Sequence, residues 1–346
     1  MSYYDPLVYV VPPEEEGMLL KTILQNRLQV SRKLLSRLKL TEEGITVNGR
    51  REYISIKVRA GDRVEVRMAQ EESDDILPEK LPLAILHEDA HVLVVNKPAG
   101  MIVHPTHGHY TGTLANAVVH HWKELGETVR FRPVHRLDQE TSGVLCIAKN
   151  PYVHQNISEQ MKANQVKKEY LALVYGLMKK DEGTVDAPID RNPEAPHIRI
   201  VTPAGYRAVT HYRTERRYAG ASLVRLWLET GRTHQIRVHM KHIGHALLGD
   251  KMYLPGPALD KRDRRGACSG EAAGGEASQA GLSEAFPAQR AGLAVPASLP
   301  ELPLARQALH AAKLGFYHPG TRQWVEYEAP LPEDMTETIR LLERQT

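Results

Sequence analysis

His135-Arg136-Leu137-Asp138-Gln139-Glu140-Thr141-Ser142-Gly143 is followed at once by the apolar run Val144-Leu145-Cys146-Ile147-Ala148. An acid stands directly after an Arg-Leu pair, a Thr-Ser-Gly turn follows it, and the chain then reads as a buried strand. A carboxylate held where a loop enters a strand is a candidate nucleophile or general base. The competing reading is an ordinary ion pair between elements, so the rest of the chain must decide.

Outward from that run, the chain resolves into segments of different character. Residues 1 to 75 read as a small basic unit. Between Lys21 and Arg67, twelve Lys and Arg residues face Glu42, Glu43, Glu52, Asp62 and Glu65 alone. Ser31 is placed to cap a short helix through Lys39, with Leu34, Leu35 and Leu38 on one face. Ile45-Thr46-Val47-Asn48-Gly49-Arg50 reads as a strand running into an Asn-Gly turn, a strong hairpin signal, and Ala60-Gly61-Asp62-Arg63-Val64-Glu65-Val66 turns and alternates as a second strand. This order resembles a small RNA-binding module that a ribosomal protein shares with many RNA-modifying enzymes. The acidic linker Glu71-Glu72-Ser73-Asp74-Asp75 follows. A long body from about residue 82 to 254 alternates strands, such as 93–95 and 170–174, with helices expected near 113–125, 151–164 and 233–243. Residues 255–303 are dense in Ala, Gly, Ser and Pro, open with the basic cluster Lys261, Arg262, Arg264 and Arg265, and contain Phe286 as their one aromatic. Such a stretch cannot bury enough apolar surface to offset its ordering entropy, so it reads as a flexible insertion. The body then resumes at Arg306, with a strand near 323–329 and a polar helix at the end. No internal repeat is present.

Composition narrows the class without choosing within it. The 346 residues are 42% hydrophobic and 25% charged, with a net charge of +3. That length suits one large catalytic domain plus a small appendage. No apolar run approaches the roughly 20 residues a bilayer span needs, and the first residues lack a secretory pattern. Cys146 and Cys268 offer neither a disulfide framework nor zinc spacing. The expectation is a cytoplasmic protein with no membrane partner, acting as a monomer.

Four further motifs join the opening run. Val94-Val95-Asn96-Lys97-Pro98-Ala99-Gly100 leads to Val103-His104-Pro105. Lys168-Glu169-Tyr170 opens a strand that ends in Tyr175-Gly176. Thr230-Gly231-Arg232-Thr233-His234-Gln235-Ile236-Arg237-Val238-His239 continues to Leu248-Gly249-Asp250. Arg306-Gln307-Ala308-Leu309-His310-Ala311 pairs with Glu328-Ala329-Pro330-Leu331-Pro332. In kind and order these resemble the RluA-type pseudouridine synthases, enzymes that isomerise uridine in ribosomal and transfer RNA. The resemblance spans most of the chain outside the insertion. It departs from the family pattern in that insertion and in the irregular turn Arg191 to His197.

The resemblance implies an α+β fold: a mixed, largely antiparallel central sheet with peripheral helices, its active-site cleft crossing the middle, behind a small N-terminal RNA-binding module. It implies that Asp138 is the catalytic aspartate, either adding to the base or attacking the ribose anomeric carbon. Arg237 becomes its ion-pair partner, since a nearby guanidinium keeps a carboxylate ionised and oriented. Ile236, Met240 and Ile243 form a helical core stripe beside which Arg237 can turn inward. Tyr170 becomes the residue stacking on the target uracil, although strand tyrosines are ordinarily core. Leu309 packs near the base, with a plain core position as its bland alternative. Arg136 fills the space left by the extruded nucleotide, or else contacts phosphate. His135 and Thr141 complete the expected substrate-binding set. No cofactor and no metal are called for, and the partner is structured RNA, ribosomal before transfer RNA. Two rivals remain: a non-catalytic RNA-binding protein, and a metal-dependent hydrolase built on His104, His107, His109, His120 and His121.

Overall fold

The computed structural model describes residues 2–253, 299 and 301–345. They form two compact units, Met1–Glu169 with His310–Leu331 and Tyr170–Leu309 with Pro332–Thr346. Nearly all of the expected insertion, 255–303, lies outside the described residues, as do Lys261, Arg262, Arg264, Arg265, Cys268 and Phe286.

The first unit opens with strand β1 (Leu7–Val10) and helical turn α1 (Leu20–Thr22), which runs on into a wider turn at Ile23–Arg27. Helix α2 (Arg32–Leu38) follows, and strands β2 (Ile45–Val47), β3 (Arg50–Arg51) and β4 (Arg63–Val66) complete a sheet of order β1-β4-β2-β3. The local signals act as expected. The Ser31 side chain accepts from the Leu34 amide, so one orphan N–H of α2 is satisfied. Asn48 and Gly49 both have positive φ, the backbone a two-residue hairpin between β2 and β3 requires. The module has its own sheet but not its own core. Leu20, Ile23, Leu24, Leu34 and Val64 belong to one buried cluster with Val92, Val144, Tyr152, Ile157 and Phe316.

Strands β5 (Ile85–Glu88) and β6 (Val92–Lys97), helix α3 (Leu114–Glu124), strand β7 (Ser142–Ala148) and helix α4 (Pro151–Lys162) come next. Thr113 and Asn116 cap α3 reciprocally, and Asn150 caps α4 ahead of Pro151 at its first turn. Every residue of β7 is buried, as its unbroken apolar run predicts for a central strand.

The chain crosses into the second unit within β8 (Lys167–Tyr175). Strands β9 (Glu182–Asp186), β10 (Ile189–Arg191), β11 (Arg199–Val201), β12 (Val209–Tyr218) and β13 (Ala221–Leu228) precede helix α5 (Gln235–His242). The second unit's main sheet runs β8-β13-β12-β9, with β10 and β11 paired apart from it. Of the residues 191–197, irregular in sequence, Arg191 ends β10 and 192–197 fall in the turn between β10 and β11. Val238 of α5 packs with Ile189, Ala208 and Tyr253.

Strands β14 (Leu309–Tyr317) and β15 (Trp324–Glu328) and helix α6 (Glu333–Glu343) close the chain. In the first unit the sheet runs β5-β6-β7-β14, with β15 on β14. The β14–β7 pairing is parallel and the β5–β6, β6–β7 and β14–β15 pairings are antiparallel. The fold is thus α+β with mixed, largely antiparallel sheet.

Candidate active site

Asp138 lies on a short loop fastened from three sides within the first unit. Before it, the Val134 amide donates to the Cys146 carbonyl at 3.0 Å. The Cys146 amide in turn donates to His135 Nε2 at 3.4 Å, a long contact. Because Nε2 accepts, the proton sits on Nδ1, which is buried with no partner among the described residues. Burial, helped by the Lys168 charge, pushes the imidazole down to about 3. His135 is therefore neutral at physiological pH and supports the loop on β7 from behind. Leu137 is buried, Arg136 is exposed and Asp138 is half-buried. Turning Leu137 inward points its neighbour Arg136 to solvent.

After it, the Thr141 amide closes a turn on the Asp138 carbonyl at 3.0 Å, and Thr141 itself is buried. Gln139 meets Gly100 twice: its carbonyl accepts from the Gly100 amide at 3.0 Å, and its Nε2 donates to the Gly100 carbonyl at 3.1 Å. Beneath this contact sits Lys97, 0% exposed. Its ammonium donates to the carbonyls of Pro98 at 2.8 Å, Met101 at 2.8 Å and Gln139 at 3.0 Å. A buried ammonium must spend its protons on acceptors, and here they staple the Asn96–Gly100 motif to the residue after Asp138.

Strand β7 is held against β14 as tightly. Gly143 has φ +117°, and a Cβ there would lie 2.1 Å from the Ala311 carbonyl oxygen. Only glycine allows this approach. Ser142 and His310 bond at 2.9 Å, and the other His310 nitrogen meets the Ala329 carbonyl at 3.2 Å. Since a carbonyl only accepts, His310 Nε2 donates, and its Nδ1 accepts from the Ser142 hydroxyl.

The second unit carries Arg237, Tyr170 and Leu309. Arg237 points inward from α5 and is 5% exposed. Its guanidinium grips Asp250 bidentately, Nε to Oδ2 at 2.7 Å and Nη2 to Oδ1 at 2.8 Å. Asp250 also accepts from the amides of Met252 and Tyr253. The Arg237 guanidinium lies 4.8 Å from the Tyr253 ring centre. The Tyr253 hydroxyl accepts from the Arg199 amide and bonds His234 Nδ1, which fixes the ring. Tyr170 is buried at the start of this unit and Leu309 is buried at the start of β14. Arg306, gripping Asp334 bidentately, donates to the carbonyls of Gln307 and Leu309 and so sets the entry to β14.

Two of these groups had no role in the sequence reading. Lys97 and Asp250 each stood inside a quoted motif, but nothing in the spacing marks a lysine as buried or tells which guanidinium an aspartate meets. Four of the five histidines of the rival hydrolase have separate side-chain partners, and His109 is joined to Thr106 through its backbone. His104 stacks on Phe131, His107 meets Tyr110, His120 lies near Glu124 and His121 bonds Glu88. Among the described residues no three His, Cys, Asp or Glu groups converge as a metal site. No described helix is long and apolar enough to cross a membrane.

Residues 91–242 match the RNA pseudouridylate synthase family. The chain is 41% identical to the uncharacterized RNA pseudouridine synthase YlyB of Bacillus subtilis (strain 168), over 87% of this chain and 86% of that one. It is 37% identical to ribosomal large subunit pseudouridine synthase D of Yersinia pestis, over 89% and 85% of the two chains. Among solved structures it is similar to human RNA pseudouridylate synthase domain containing 1, with 25% identity and a TM-score of 0.50 over 72% of this chain and 83% of that one. A fold of this class, carrying the five motifs in order, is that of an RNA-modifying isomerase. The chain belongs to the RluA-type RNA pseudouridine synthases.

Proposed function

We propose that this enzyme converts specific uridines of structured RNA, in the large ribosomal subunit before transfer RNA, to pseudouridine with Asp138 as nucleophile. The observation that carries the assignment is the half-buried Asp138 on a loop locked by Lys97, Gln139, His135 and Thr141. Rigid placement is what a nucleophile needs to meet its target at reacting distance. The reaction breaks the bond between ribose C1′ and uracil N1, turns the base, and joins C1′ to C5. The C5 proton leaves and N1 gains one, so nothing is oxidised or reduced and no cofactor is consumed.

In this reading Arg237, held by Asp250 and Tyr253, is the ion-pair partner of Asp138, and Tyr170 stacks on the uracil. The target base leaves the RNA stack because its ring atoms are out of reach inside it. Arg136, exposed beside Asp138, fills the vacated space, and Leu309 packs near the base. His135 and Thr141, both turned inward, serve the RNA indirectly by fixing the loop. The ribosomal preference rests on the relatives named for the large subunit. The basic N-terminal module delivers RNA through phosphate contacts, and the enzyme works as a cytoplasmic monomer.

Asp138→Asn tests the chemistry. On transcribed large-subunit ribosomal RNA it is expected to abolish pseudouridine formation while RNA affinity stays within about threefold. Retained turnover would show that another carboxylate does the work.

A further inference from the structure

A recess of about 510 Å³ lies in the first unit, lined by the module residue Gln29, by α4, and by the turn after β14. Its wall is rigid. The Gln160 side chain bonds both backbone groups of Tyr317, donating at 2.7 Å and accepting at 2.9 Å. Asn156 bonds Gln160 and the Gln29 side chain, and Gln155 takes the Ser31 amide and donates to the Gln29 carbonyl.

The remaining lining groups are underused. The Gln29 side chain accepts one bond and its Nε2 has no partner among the described residues; the Gln165 side-chain amide and the hydroxyls of Tyr152 and Tyr317 also have none there. Arg322 gives one N–H to the Arg27 carbonyl and keeps the rest. The Tyr317 ring is 49% exposed and braced edge-on by Trp324 at 5.2 Å. Gln29 and Arg322 both hold left-handed backbone, with φ of 54° and 59°, a strained state that concentrates at functional positions. The acidic lining residue Glu159 is offset by Lys162 at 2.7 Å.

An aromatic face, amides offering both donors and acceptors, and a guanidinium with spare N–H groups match the three parts of a nucleotide: ring, base edge and phosphate. The volume lies within the usual range for small-ligand sites. We propose that this recess binds one unpaired nucleotide of the bound RNA, away from the residue being isomerised. Tyr317 carries the base, the Gln29 and Gln165 amides read its edge, and Arg322 holds its phosphate. That the nucleotide comes from RNA rests on the function proposed above; the recess chemistry does not.

The test titrates the full chain with uridine 5′-monophosphate and adenosine 5′-monophosphate, following the side-chain amide signals of Gln29 and Gln165 by NMR. Shifts saturating in the millimolar range are expected. Tyr317→Ala should weaken binding about tenfold with an unchanged thermal midpoint. Arg322→Asn, which tolerates the left-handed backbone, should erase the preference for the monophosphate over uridine. A structured ribosomal RNA fragment should displace the mononucleotide, whereas binding of both together would overturn the RNA source and leave a free nucleotide as the ligand. Absence of shifts, or equal shifts in both variants, would overturn the recess as a nucleotide site. Because the mononucleotide arm needs no turnover, loss of activity elsewhere would not be mistaken for its failure.

Discussion

Lys97 and His135 hold the Asp138 loop from positions behind it, without having to touch a substrate. Replacing Lys97 by Met keeps the apolar stem but deprives the carbonyls of Pro98, Met101 and Gln139 of a buried donor. Leaving such groups unsatisfied costs roughly 2–4 kcal/mol, and loosening the loop by even an ångström is enough to slow turnover about tenfold or more. Urea denaturation and single-turnover kinetics should both register the change. His135 makes a separate prediction in pH. Its folded value is lowered to about 3 from the ordinary 6.5. The unfolded chain therefore takes up a proton below pH 6.5 that the folded one refuses. Stability from this group is complete above that pH and drains away as pH falls towards 3, by at most about 1.4 kcal/mol per unit. His135→Gln keeps an acceptor for the Cys146 amide and should flatten the stability profile between pH 6.5 and 5. An unchanged slope would place the titration elsewhere.

At the scale of elements, β7 is decided by one residue, Gly143. Gly143→Ala would drive a methyl into the Ala311 backbone at a φ that L-residues avoid, and it should cost about 2–4 kcal/mol in urea melts. The same strand explains why much of the architecture was legible in the sequence. Its unbroken apolar run reads as a buried strand, and α2, α3 and α4 begin at the Ser31, Thr113 and Asn150 caps that local chemistry provides. The β12–β13 ribbon was not foreseen in detail. It mixes exposed arginines with buried alternate positions and contains a register shift between Thr214 and Arg216 that breaks its period of two. Of the site, Asp138, Arg237 and Tyr170 could be singled out because each stands in a motif. The grip of Asp250 on Arg237 and the burial of Lys97 depend on contacts with segments distant along the chain, or on side-chain direction, and neither has a local signature.

For the whole molecule, the net charge of +3 understates the basic character of residues 21–67, where lysine and arginine gather on a module whose apolar side chains share the first unit's core. Such a module is anchored to the residues that carry the Asp138 loop. If the module binds RNA as proposed, its clustered cations supply affinity through phosphate, which weakens steeply with salt, while the address on the RNA comes from elsewhere. The proposed reaction has this enzyme make particular pseudouridines in ribosomal RNA through Asp138. Its most direct test is a map of pseudouridine in ribosomal and transfer RNA from cells lacking the protein, complemented with either the native chain or Asp138→Asn. The expected result is loss of at least one large-subunit pseudouridine, restored by the native chain and not by the variant. A map in which no site is lost, or one that Asp138→Asn restores in full, would contradict it.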